Sequence, residues 1–156
     1  LDHIFSELFK AAILMKLGEF YYIIIYFLSL YFGNFFTLKQ HKNQVLYSAV
    51  GASGAVTGIV YSSILLFPEM KLALIFFPIP LPSYVFGLCY ILYSIYGMKK
   101  NTGNIGHSAH LGGAVAGMII TILIQPSIII DQTWLVLLLL MPFLILYYDK
   151  KNSLFR

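Results

Sequence analysis

Few residues in this sequence could carry nucleophilic or acid–base chemistry, and they fall in two short runs. One is Gly51-Ala52-Ser53-Gly54; the other is His107-Ser108-Ala109-His110-Leu111-Gly112-Gly113. A serine hydroxyl is a poor nucleophile until a base within hydrogen-bond reach takes its proton. His110, with its neighbour His107, is the base in the apolar stretches whose unperturbed pKa lies near neutrality. The chemistry that these types suit is acyl transfer by a Ser–His dyad. A serine that opens a helix also offers backbone N–H groups and the positive dipole end to an oxyanion. Asp and Glu are absent from the charge-free stretches, so no acidic third member is visible.

The elements that must position these residues follow from composition. Of 156 residues, 60% are hydrophobic and 10% charged, against about 25% charged in a soluble domain. Ten Lys and Arg and six Asp and Glu, net +4, are scattered over loop ends, where membrane-flanking charge belongs. A disordered chain, a soluble nucleic-acid binder and a disulfide scaffold are excluded, the last because Cys89 is the single cysteine. The expectation is an all-α, polytopic bundle of transmembrane helices forming one domain over 1–156, in lipid and without a nucleic-acid partner. Charge-free stretches place spans at about 20–38, 51–67, 83–97 and 108–124. Pro78, Pro80 and Pro82 break any helix there, and Asn43–Tyr47 and Asn101–Gly106 read as loop and turn. The last apolar run, 134–148, is short and carries Pro142, which leaves crossing, tilting and an interfacial position all open. Residues 1–17 carry Asp2, Glu7, Lys10 and Lys16 and read as an incomplete N-terminal helix. With no initiator Met and no signal-peptide pattern, the expectation is that the start of the protein is missing.

Counting directions puts the two chemical runs on one side of the bilayer. If the Ser53 helix runs away from one face, the next returns and the His110 helix runs away again. Ser53 and His110 also lie at nearly equal distances in sequence from Lys42 and Lys100, so their depths should match. Gly54 and Gly58 on one helix, and Gly113 and Gly117 on the other, form small-xxx-small stripes that let backbones approach closely in lipid. Gly51 is counted with these packing glycines. Two ordinary packing stripes with an incidental serine and histidine would show the same pattern, and the residues alone do not choose. Other intramembrane hydroxyls, Ser29, Ser62, Ser63, Ser94 and Thr121, are expected to bond back to the preceding helical turn.

At this point the chain resembles the rhomboid family of intramembrane serine proteases. Gly51-Ala52-Ser53-Gly54 matches the family's Gly-x-Ser-Gly motif, and Ala109-His110-x-x-Gly113-x-x-x-Gly117 matches its Ala-His-x-x-Gly-x-x-x-Gly motif, with one helix between them. The resemblance covers about 18–124. It implies a rhomboid-like helix bundle in which Ser53 is the nucleophile and His110 the general base. It also implies cleavage of peptide bonds in or near the transmembrane segment of single-span membrane proteins, with no cofactor and no metal. The Ser53 backbone would serve the oxyanion, and the multi-pass protein would lie in the plasma or inner membrane if bacterial.

The sequence departs from the family pattern in three places. The family's first helix and its Trp-Arg loop have no counterpart. Its His-x-x-x-Asn oxyanion motif is met only by His3-Ile4-Phe5-Ser6-Glu7, with Glu for Asn. The aromatic residue that often follows the nucleophile by four, and packs on the histidine, is here Thr57. Two further readings therefore stand beside the protease: an inactive rhomboid-like protein that binds transmembrane segments, and, third, a small-molecule channel or transporter, for which no continuous polar stripe is visible. Lys39, Lys42, Lys99 and Lys100 would put the Ser53 face in the cytoplasm by the positive-inside rule; the resemblance puts it outside, and is preferred here.

Overall fold

The structure, a computed structural model, describes residues 2–44, 51–74, 77–100 and 106–153, with side chains described over 17–44, 51–72, 79–100 and 106–148. Most of the loop expected at 43–47 and of the turn expected at 101–106 lies outside the described residues. The elements in chain order are α1 (Asp2–His41), α2 (Ser53–Leu66), β1 (Lys71–Leu74), β2 (Phe77–Pro82), α3 (Ser83–Lys100), α4 (His107–Ile124), α5 (Ile128–Asp131) and α6 (Thr133–Ser153). The architecture is an all-α bundle with, among the described residues, one small hairpin. Among the described residues, two helical segments, Leu17–His41 and His107–Ile124, are long and apolar enough to cross a membrane.

Residues 1–17 and 20–38, expected as separate helices, are joined in the continuous α1. The charges at 2, 7, 10 and 16 lower hydropathy but do not break a helix, since Glu and Lys are good helix formers and no proline interrupts the run. Forty residues at 1.5 Å each make α1 about 60 Å long, twice the hydrocarbon thickness of a bilayer. Prolines do stop the inner helices: α2 ends at Leu66 before Pro68, and α4 ends at Ile124 before Pro126.

Between α2 and α3 the proline-rich run is not loop but an antiparallel hairpin, pairing Lys71 with Pro82 and Leu72 with Leu81. The Ser83 N–H donates to the Met70 carbonyl at 2.8 Å and extends the ladder. A two-stranded ribbon is all edge, so alternate prolines can turn their missing donors outward.

Contacts along the helices give their directions. Gly54 meets Ala109, Gly58 meets Gly113, and the Ser62 hydroxyl reaches the Gly117 carbonyl at 3.2 Å. The pairs advance in step, so α2 and α4 run parallel. On α1 the order reverses: Thr37 bonds Ser108 at 3.0 Å, while Ile25 packs with Ala116 and Ile120 further along α4. On α3 it also reverses, for Tyr90 faces Thr57 and Gly87 faces Tyr61 and Ile64. The buried core gathers Tyr61, Ile64 and Leu65 of α2, Ile91 of α3, Leu111 and Met118 of α4, and Leu135 and Leu139 of α6. The outer face of α1 exposes Phe20, Phe27, Tyr31 and Phe35, an apolar stripe larger than water tolerates and suited to lipid.

Candidate active site

Ser53 is the first residue of α2. Ala52 is the N-cap and makes no side-chain cap bond, so no side chain covers the first N–H groups of this helix. Gly51 has φ 154°, a conformation that side chains rarely adopt, and a Cβ there would lie 4.0 Å from the Ser53 backbone nitrogen and touch no neighbouring helix. Gly51 is thus not a packing residue. It precedes the helix, and what it supplies is the sharp entry that leaves Ser53 exposed.

The other four glycines interlock. A Cβ on Gly113 would run into the Gly54 carbonyl oxygen, and one on Gly117 into the Gly58 carbonyl oxygen. One on Gly54 would sit 3.0 Å from the Ala109 carbonyl, and one on Gly58 would meet the Ser29 side chain and lie 3.0 Å from the Gly113 carbonyl. α1 joins the same crossing, since a Cβ on Gly33 would come within 2.8 Å of the Ala109 oxygen and 3.5 Å of the Gly54 α-carbon. Three helix backbones therefore meet beside Gly54 and Ala109. Ser53 and His110 are the next residues along.

His110 is in the first turn of α4 and buried. Its Nδ1 lies 2.9 Å from the Tyr90 hydroxyl, and the two rings pack at 5.5 Å between centroids, tilted by 32°. The Tyr90 hydroxyl also lies 3.4 Å from Thr57 Oγ1, and Thr57 donates to the Ser53 carbonyl at 2.8 Å. Among the described residues no hydrogen bond links the Ser53 side chain to the His110 ring. His107 is buried beneath Gly97, edge-on to the rings of Tyr93 and His110, with neither ring nitrogen bonded. His3 lies in α1, but its side chain lies outside those described. No group of three or more His, Cys, Asp or Glu among the described residues is placed to hold a metal ion.

Of the hydroxyls expected to bond back to the preceding turn, Ser62, Ser63 and Thr121 do so, whereas Ser29 and Ser94 are buried without a hydrogen-bond partner. Sequence reasoning missed Gly33 and Tyr90. Gly33 had a signal, because Ser29 and Gly33 are four apart and repeat the small-xxx-small spacing on α1. Tyr90 had none, being one of 12 tyrosines.

Comparison with known proteins decides the family. The model of the Rhomboid domain matches residues 4–127. The chain belongs to the rhomboid family. Among curated relatives, this rhomboid chain is 29% identical over 114 residues to Rhomboid protein 1, mitochondrial, of Saccharomyces cerevisiae, covering 71% of this chain and 33% of that protein. It is 43% identical over 70 residues to RHOMBOID-like protein 12, mitochondrial, of Arabidopsis thaliana, covering 45% of this chain and 20% of the other. The matched region thus spans a third or less of the length of these relatives. No solved structure matches the chain.

Proposed function

We propose that this rhomboid chain is the catalytic core of a multi-pass intramembrane serine endopeptidase, acting on peptide bonds in or near the transmembrane segments of single-span proteins. The observation that supports it best is the backbone contact of Gly54 with Ala109, which sets an exposed serine and a buried histidine on adjoining residues. In this reading Ser53 Oγ attacks the scissile carbonyl while His110 takes its proton. The tetrahedral oxyanion is met by the uncapped N–H groups at the start of α2. His110 then gives its proton to the leaving amine, and water, activated by the same ring, frees the acyl-enzyme. Neither step calls for a cofactor. Nucleophile–base bonds are often longer before substrate binds, which suits a serine still free of the ring.

Glu7, standing where the family motif has Asn, favours a second reading: a rhomboid-like protein that holds transmembrane segments without cutting them. A fluorophosphonate probe separates the two. The protein in detergent micelles is expected to label, and Ser53→Ala and His110→Ala to lose labelling almost completely, because members of a dyad act as a unit. Equal labelling of all three proteins would refute the dyad. No labelling of any, with transmembrane peptide still bound, would favour the holding role.

A further inference from the structure

The polar groups around His110 form a chain in which each link has one proton to give. Thr57 spends its hydroxyl proton on the Ser53 carbonyl. Toward the Tyr90 hydroxyl, 3.4 Å away, its oxygen then has only lone pairs left. A proton on that link, which is longer than an ordinary O–H···O bond, can come from Tyr90 alone. With the Tyr90 proton so placed, the phenol oxygen meets His110 Nδ1, at 2.9 Å, as an acceptor, and the proton between them belongs to the imidazole. A neutral imidazole has one N–H. With that hydrogen on Nδ1, Nε2 is a bare lone pair.

We infer that Tyr90 is a positioning residue for His110: together with Thr57 it holds the ring as the Nδ1–H tautomer and leaves Nε2 free to take a proton. The task of Nε2 rests on the function proposed above; the tautomer does not. The opposite arrangement, Tyr90 donating to Nδ1, puts the hydrogen on Nε2, where the ring could only donate to Ser53. It also leaves the Thr57–Tyr90 contact without a proton, unless Thr57 abandons the Ser53 carbonyl. Tyr90 fixes the plane of the ring as well. Its own ring packs on that of His110 and is stacked on Phe86 at 6.0 Å and 18°. His107, the other imidazole nearby, is edge-on and makes no hydrogen bond that would compete. The Thr57 link is longer than an ordinary O–H···O bond, which makes it the first to yield and a useful place to probe.

The test is a long-range ¹H–¹⁵N spectrum of the intact protein labelled with ¹⁵N-histidine, which reports which ring nitrogen carries the hydrogen. The His110 signals are identified by their loss in His110→Asn. Wild type is expected to show Nδ1–H. Tyr90→Phe, and independently Thr57→Val, should shift the population toward Nε2–H and lower kcat about tenfold with KM unchanged. A wild-type spectrum with the hydrogen on Nε2 overturns the inference, whatever the activity. So does a shift of tautomer in the variants that leaves kcat untouched, or no change in either quantity. If the wild-type protein hydrolyses nothing, the protease reading falls, and the spectrum still decides the tautomer.

Discussion

Replacing Gly113 by alanine tests whether backbone fit sets the distance between Ser53 and His110. A Cβ there would collide with the Gly54 carbonyl oxygen and come within 2.7 Å of its carbonyl carbon and 2.9 Å of its α-carbon. All three are backbone atoms of α2, so no side chain can swing aside. Carbon atoms in ordinary contact sit about 3.5–4.0 Å apart, so α2 must back away from α4 by about 1 Å. Ser53 adjoins Gly54, and His110 lies one turn before Gly113, so the displacement passes directly into the site. A misplacement of about 1 Å between reacting groups is worth about 10²-fold in rate, and the overpacking itself about 1–3 kcal/mol of stability. The expected result is fluorophosphonate labelling slowed about 10²-fold, with a lowered melting temperature in the same detergent. Gly18→Ala is the control, because a Cβ there meets nothing within 4 Å and gains helix propensity of up to about 1 kcal/mol. Labelling and melting of Gly113→Ala at wild-type values would refute the interlock. So would equal losses in Gly18→Ala.

Two further substitutions probe the scaffold away from Ser53 and His110. Tyr61→Phe removes a fully buried hydroxyl that donates to the Gly87 carbonyl and ties α2 to α3; melting should show a loss of about 0.6–1.7 kcal/mol while labelling of Ser53 persists. Ser29→Ala removes a buried hydroxyl without a hydrogen-bond partner, pressed against Gly58; stability should hold or rise by about 1 kcal/mol, and a clear fall in the melting temperature would contradict that reading.

The helices that carry the chemistry were legible because their ends are written in local signals. Pro68 and Pro126 stop α2 and α4, and lysines 99 and 100 close α3 where the helix dipole favours cations. Two features escaped for opposite reasons. α1 was cut short because hydropathy and helicity part company at Asp2, Glu7, Lys10 and Lys16. The hairpin at 71–82 was lost because proline reads as a breaker, although an isolated ribbon with two free edges accepts it. In the site, the glycine spacing of four was visible along the chain, whereas the partner of His110 was not. Tyr90 reaches the ring through tertiary packing of α3 on α2 and α4, and neither its type nor its spacing distinguishes it.

These two kinds of support differ in how firmly they hold. Between helices in lipid there is little hydrophobic driving force, so close fit decides their separation. At Gly54, Gly58, Gly113 and Gly117 that fit is backbone against backbone, with no rotamer to relax, which fixes the approach of α2 to α4 before any substrate arrives. That is the preorganisation the proposed proton transfer would need. The orientation of the imidazole, by contrast, hangs on two hydroxyls and one aromatic ring contributed by α2 and α3. Position 57 holds a threonine and the aromatic ring comes from position 90, so the ring's hold on His110 moves with α3. A displacement of α3 that broke the Tyr90 contact would free the tautomer without altering the α2–α4 separation. Tyr90→Phe should therefore slow the reaction with the glycine interface intact, whereas Gly113→Ala displaces α2, and Thr57 with it, and so acts on the distance and on the long Thr57–Tyr90 link together.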